Sequence, residues 1–164
     1  MWNTLVPKKI NLFVWRLRRE ALPTTINLFA KGIDVSSMCC LFCQNGVEFI
    51  DHIFQKCKLV RGSRKLLNSW LRLDLPDATP NEVLNWCDNL KLPFRTRSRT
   101  QAILFILWWC IWKARNDIRY NESRATCVGI FNAVVSLAYV WIHNRDKKDA
   151  LIWQDWNEFP FGID

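Results

Sequence analysis

The sequence predicts a mainly α protein, a small helical module followed by a helical extension with two long helices. Three observations carry that expectation. Half of the 164 residues are hydrophobic, with ten Trp and ten Phe among them, enough for a core over most of the length. Five Gly and six Pro are too few for a loop-rich β sandwich. Apolar residues recur at intervals of three and four along most of the chain.

The elements follow in order. Pro7 suits the first turn of a helix running from Lys8 to Glu20. On its wheel Ile10, Phe13, Val14 and Leu17 share one face, while Lys8, Lys9, Arg16 and Arg19 gather on the other within about a 100° arc. Leu12 and Trp15 point into or beside that arc. Two readings stay open: a phosphate-tracking face with an aromatic for base stacking, or a helix packed on two sides with cations snorkelling at the rim. Leu22-Pro23-Thr24 breaks the chain, Thr24 or Thr25 caps a short helix, and Gly32 ends it.

Ser36 to Asn45 form a loop, Gly46 eases the following turn, and a helix is expected from Val47 to Lys56. Next come helices from about Leu59 to Leu73 and from Asn81 to Asn89. The first turns Leu66, Leu67, Trp70 and Leu73 inward and Arg61, Arg64, Lys65 and Arg72 outward. Pro76, Pro80 and Pro93 punctuate this region. The second half reads as helices from about Ser98 to Tyr120 and Ser123 to Asn144. The earlier is apolar nearly all round between Ile103 and Trp112 and should be central. The later carries Cys127, Phe131, Val134, Ala138 and Trp141 as a buried stripe. The tail from Leu151 to Asp164, with Trp153, Trp156, Phe159 and Phe161, must dock or remain a sticky end. The apolar run Ala102 to Trp112 is too short to cross a bilayer, so no membrane span is expected.

Within the loop and the helix after it, Cys40, Cys43, His52 and Cys57 are spaced C-x2-C-x8-H-x4-C. Zinc favours four N and S ligands in a tetrahedron, and three Cys with one His close a structural site with no open position. One structural Zn²⁺ is therefore expected. Cys39 adjoins Cys40, but C-x2-C closes the turn better than C-x3-C. Glu48, one turn before His52, could orient its imidazole, with Asp51 as rival, although a carboxylate at a helix N-terminus needs no such role. Seven Cys, an odd number, and no secretory leader suggest a reducing intracellular compartment, cytoplasm or nucleus.

Charge is unevenly placed. Residues 1–72 hold twelve Lys/Arg against four Asp/Glu, and residues 73–164 hold eleven of each, so the whole net charge of +8 sits on the segment with the Cys/His motif. That asymmetry suggests a polyanion, RNA or DNA before membrane, although a basic surface can simply keep a protein soluble. The candidate contacts are Lys8, Lys9, Arg16, Arg19, Lys56, Lys58, Arg61, Arg64 and Lys65.

Val6-Pro7-Lys8-Lys9-Ile10, Phe13-Val14-Trp15-Arg16-Leu17, Leu22-Pro23-Thr24, Asn27-Leu28, Lys31-Gly32-Ile33, Cys40-x2-Cys43, Glu48-x3-His52-Ile53-Phe54 and Cys57 occur in order. Together they resemble the zinc-binding domain that follows the reverse transcriptase in plant LINE-type retrotransposon polyproteins, over roughly residues 2 to 70. Trp109-x2-Trp112-Lys113-Ala114-Arg115-Asn116 is similar to the connector that precedes a ribonuclease H domain in such polyproteins. The resemblance implies a zinc-binding module, and the Pro-punctuated stretch after it sets the bounds of that module at 1–74. A linker with a short helix would follow over 75–97, then a long helical hairpin over 98–144 and a tail over 145–164. It also implies a fragment or a degenerate copy, because the family has a segment before the position of Trp2.

Catalysis is not expected. The chain has no G-x-G-x-x-G, no phosphate-binding loop, no G-x-S-x-G and no H-E-x-x-H. It shows no paired carboxylates for two metal ions. Cys110 or Cys127 with His143 could be imagined as a nucleophilic pair, but both Cys fall on apolar helical faces. The enzymatic activities of the family belong to neighbouring domains. Two functions remain. One is a nucleic-acid-binding module without catalysis or a small-molecule substrate. The other is a zinc-stabilised scaffold whose Trp-rich helices 98–144 dock a protein, such as other parts of the polyprotein.

Overall fold

The structure, a computed structural model, describes residues 2–146 and 150–161. Its organising element is the helix Phe94–Asn121, which is fifth in chain order (α5). Every residue from Ala102 to Trp112 except Trp109 is buried, as the all-round apolar sequence requires. Around α5 lie α1 (Lys8–Arg18), α2 (Thr25–Ala30), a π-helical turn (His52–Lys56), α3 (Lys58–Leu71), α4 (Pro80–Asp88), α6 (Cys127–Arg145) and α7 (Trp153–Glu158). Helix α5 touches α1, α4, α6 and the π turn, while α3 lies against α6 and the π turn. Among the described residues the only β pairing is an isolated antiparallel bridge between Cys39 and Val47.

Local chemistry sets the helix ends. The Thr24 side chain accepts from Asn27 N–H to open α2. Ile33 N–H reaches Leu28 O and Gly32 N–H reaches Phe29 O, which closes the helix with Gly32 at φ +75°. That is the left-handed Schellman ending for which Gly is the least strained residue. Thr79 and Glu82 form a reciprocal capping box before Pro80. Helix α5 starts at Phe94, ahead of the expected Ser98, because Pro93 sits at its N-cap and its carbonyl accepts from Arg97 N–H. Helix α6 starts at Cys127, after the expected Ser123. Residues 122–126 are spent reversing the chain, and the Thr126 hydroxyl caps Gly129 N–H.

The expected helix Val47–Lys56 is the main correction. Val47 is paired with Cys39, and Glu48 N–H donates to Met38 O, so these residues belong to a small hairpin. The chain becomes helical only at Ile50. Cys57 N–H then bonds to His52 O, the five-residue spacing of a π turn.

One core runs through the molecule. Phe13 of α1 meets Trp109 edge-on with centroids 5.4 Å apart, and Phe54 stacks on Trp112 at 6.3 Å. Asn3 ties the N-terminal segment to α5 through Ser98 O (2.9 Å) and to Asn11 of α1. Between α3 and α6 the backbones come close at Gly62. A Cβ there would lie 3.0 Å from that of Cys127, and Ser63 Oγ donates to Cys127 O. Helix α6 is long and apolar enough to cross a membrane by composition. Its Ile130, Val134, Ala138 and Ile142 are nevertheless buried, on a helix that packs against α3 and α5. Within the expected stripe Val134 and Ala138 are buried, whereas Phe131 and Trp141 are half-buried.

The tail docks through Trp156. Its indole N–H donates to Val135 O at 3.1 Å and its carbonyl accepts from the Trp70 indole at 3.0 Å. Residues 162–164 of the expected tail lie outside the described residues.

Candidate metal centre

The hairpin Met38–Glu48 and the π turn after it bring four ligand atoms together. The Sγ atoms of Cys40, Cys43 and Cys57 and a ring nitrogen of His52 all lie within 4.8 Å of one another. Cys40 Sγ is 3.9 Å from Cys57 Sγ, and Cys43 Sγ is 3.3 Å from His52 Nε2. With Zn–S bonds of about 2.3 Å, a tetrahedron has S···S edges of about 3.8 Å. The donor set and its spacing thus fit one structural zinc. Cys40 belongs to the cluster, and Cys39, exposed on the bridge, lies outside it.

Backbone contacts hold the knuckle in shape. Cys40 N–H donates to Gly46 O and Gln44 N–H to Cys40 O, with Gln44 in the left-handed region at φ 55°. Gly46 serves close approach more than turning. A Cβ at this position would sit 2.6 Å from His52 Cε1, so only Gly leaves room for the ring.

The electrostatics suit metal capture. The Cys40 thiol donates to Cys57, which together with burial pushes the Cys40 proton affinity up; accepting that bond pulls Cys57 below the usual thiol value. A bound cation would draw the protons from both thiols. Burial, reinforced by Lys56, lowers the His52 value and keeps its imidazole neutral with a lone pair to give.

Glu48 does not orient His52. Its carboxylate accepts from Thr25 N–H (2.9 Å) and from the Arg115 guanidinium, with Arg115 Nε to Oε2 at 3.2 Å. Glu48 is 0% exposed, and the pair is sealed by Trp112, whose ring lies 4.9 Å from Arg115 Cζ. Among the described residues no hydrogen bond joins Asp51 to His52 either. Sequence reasoning singled out Arg115 only inside the connector-like string Trp109 to Asn116 and missed it as the partner of Glu48.

The basic residues divide. Lys8, Lys9, Arg16, Arg19, Lys56, Lys58, Arg61 and Lys65 are exposed. Lys9 lies over the Trp109 ring and Arg19 over the Trp15 ring. Arg61 is 4.0 Å from the exposed Asp77. Arg64, expected to point outward, is buried. Its guanidinium binds Asp77 (3.2 Å), Leu75 O and Pro76 O, so it pins the chain after α3 and presents nothing to a ligand. Cys87 and Cys110 are inert thiols: burial pushes both up to about 12.

Fold and site together define a helical protein with a closed Cys₃His zinc centre, of the kind that stabilises structure. Residues 1–63 match the family model described as zinc-binding in reverse transcriptase, in agreement with the resemblance carried by the ordered motifs. The chain is also similar to an Arabidopsis thaliana protein that bears the name of a ribonuclease H protein, at 23% identity over 137 residues. That alignment covers 75% of this chain and 20% of the relative, so the chain spans about a fifth of its length. No solved structure matches the chain.

Proposed function

We propose that this protein is a non-catalytic nucleic-acid-binding module of a retrotransposon-derived protein, with zinc holding its binding surface in shape. The observation that supports the reading is the placement of charge: the excess of +8 falls in residues 1–72, and Lys8, Lys9, Arg16, Arg19, Lys56, Lys58, Arg61 and Lys65 stand exposed on α1, the π turn and α3. Zinc binding at such sites is worth about 10–16 kcal/mol and acts as folding energy. Here it would fix the π turn, and with it Lys56 and Lys58, against the core. RNA or DNA would be held through phosphates, with little sequence preference.

Affinity should therefore fall steeply with salt. Four to five phosphate contacts imply a log–log slope of about −3 to −4. Titrating labelled RNA and DNA oligomers with the zinc-loaded chain at several salt concentrations reads that slope. A salt-independent affinity would overturn the proposal.

One observation favours the second reading, a docking scaffold: the outer side of α6 leaves Val128 and Val140 exposed. The indoles of α5 support it less, since Trp108 and Trp112 are core residues. A protein complex through α6 would tolerate salt.

A further inference from the structure

We infer that the face of α1 is a platform for unpaired nucleotides, with Trp15 as the residue on which a base stacks. The inference rests on the nucleic-acid reading above and names the strand state that the same surface prefers.

Lys8, Leu12, Trp15 and Arg19 follow at intervals of four, three and four, which places them on one stripe of a helix. The opposite face buries Ile10, Phe13, Val14 and Leu17. Helix α1 packs against both α5 and α4, yet Trp15 is 55% exposed and Leu12 53% exposed. An indole this exposed in mid-helix adds little to the core, and the apolar area it leaves in water is unfavourable.

Its surroundings point to an anionic aromatic ligand. Arg19 Cζ lies 5.1 Å from the ring centroid, and Lys8 and Arg16 are exposed nearby on the same helix. The one acidic side chain close in sequence, Glu20, lies beyond the end of α1. An apolar protein partner would gain nothing from the exposed cations of this helix, Lys8, Arg16 and the Arg19 that lies over the ring. A polynucleotide strand uses both, with phosphates on Lys8, Lys9, Arg16 and Arg19 and a base on the indole.

Base stacking requires a free π face. In a duplex both faces of each base are already covered by neighbours, so a helix lying on the backbone meets phosphates and leaves its indole unused. The surface should therefore hold single strands of RNA or DNA more tightly than a duplex of the same sequence.

The test uses the full zinc-loaded chain with labelled oligouridine, oligothymidine and oligouridine paired with oligoadenine. Trp15→Ala should weaken binding of both single strands roughly 5- to 150-fold. It should leave duplex affinity, the salt slope and the zinc content unchanged, while Trp15→Phe retains most of the affinity. Equal loss on single strand and duplex, or no loss on either, overturns the stacking inference. If the wild-type chain binds none of the three probes, the nucleic-acid reading falls with it. If it binds them with the expected salt slope but Trp15→Ala shows no strand preference, that reading stands alone.

Discussion

The carboxylate of Glu48, beside the zinc knuckle, is gripped by the guanidinium of Arg115 in the long central helix, 67 residues away in sequence. Both side chains are almost fully buried, at 0% and 2% exposure. The same carboxylate accepts Thr25 N–H, so one ion pair joins the knuckle strand, the start of α2 and α5. A buried pair is costly to break, because the surviving charge is left without solvent or partner.

Arg115→Met should therefore destabilise the zinc-loaded chain by about 3–5 kcal/mol in urea unfolding. The double change Glu48→Gln with Arg115→Met should recover part of that loss, since no charge then stays buried. A double mutant less stable than the single one would contradict this account.

Arg64 and Lys65 are neighbours with opposite expectations. Arg64→Ala leaves Leu75 O and Pro76 O without their donor and should cost about 1–3 kcal/mol of stability, with no change in the salt dependence of nucleic-acid binding. Lys65→Ala should leave stability unchanged and make the salt slope shallower by up to about one unit. Unfolding curves and salt titrations on both variants separate the roles.

Gly46→Ala should weaken zinc binding by about tenfold or more, because the new Cβ meets the His52 ring at 2.6 Å. Gly32→Ala is the control. It should cost about 1 kcal/mol through its positive φ and leave zinc affinity unchanged. Competition with a chelator of known affinity measures both.

Asp146 caps α6 and receives Arg95 and Arg99 from α5, at 2.9 Å each. Burial alone would raise its carboxyl, but the two guanidinium groups outweigh it and hold the folded value below the usual one. The sign follows: the stabilisation is present above the unfolded value, about 3.9, and is lost as pH falls through the lower folded value. Asp146→Asn should therefore be less stable than wild type at neutral pH, with the gap closing below about pH 4. A gap that persists to the acid limit would contradict the assignment.

The zinc ligands were legible in the sequence because they are local. Cys40, Cys43, His52 and Cys57 span eighteen residues, and ligand spacing alone brings them together. The central position of α5 was legible for a similar reason, since a helix apolar on all sides has to be enclosed. What the sequence hid were partners across distance. Periodicity says which face of a helix turns inward but not what meets it, so the sequence sets Glu48 beside His52, four residues on, while its partner lies in α5. Arg64 falls between Arg61 and Lys65 on a basic stretch, and only the fold of Leu75 to Asp77 back over α3 shows that it is buried. The hairpin at Val47 was missed because one bridge leaves no alternating pattern to read.

The most direct test of the account is the metal content of protein purified without added zinc, for wild type, Cys39→Ser and the pair Cys40→Ser with Cys43→Ser, alongside cooperative unfolding of each. One zinc per chain is expected in wild type and Cys39→Ser. None is expected in the double mutant, together with loss of cooperative folding in the first half of the chain. A wild-type chain without metal, and a double mutant that unfolds as wild type does, would contradict it.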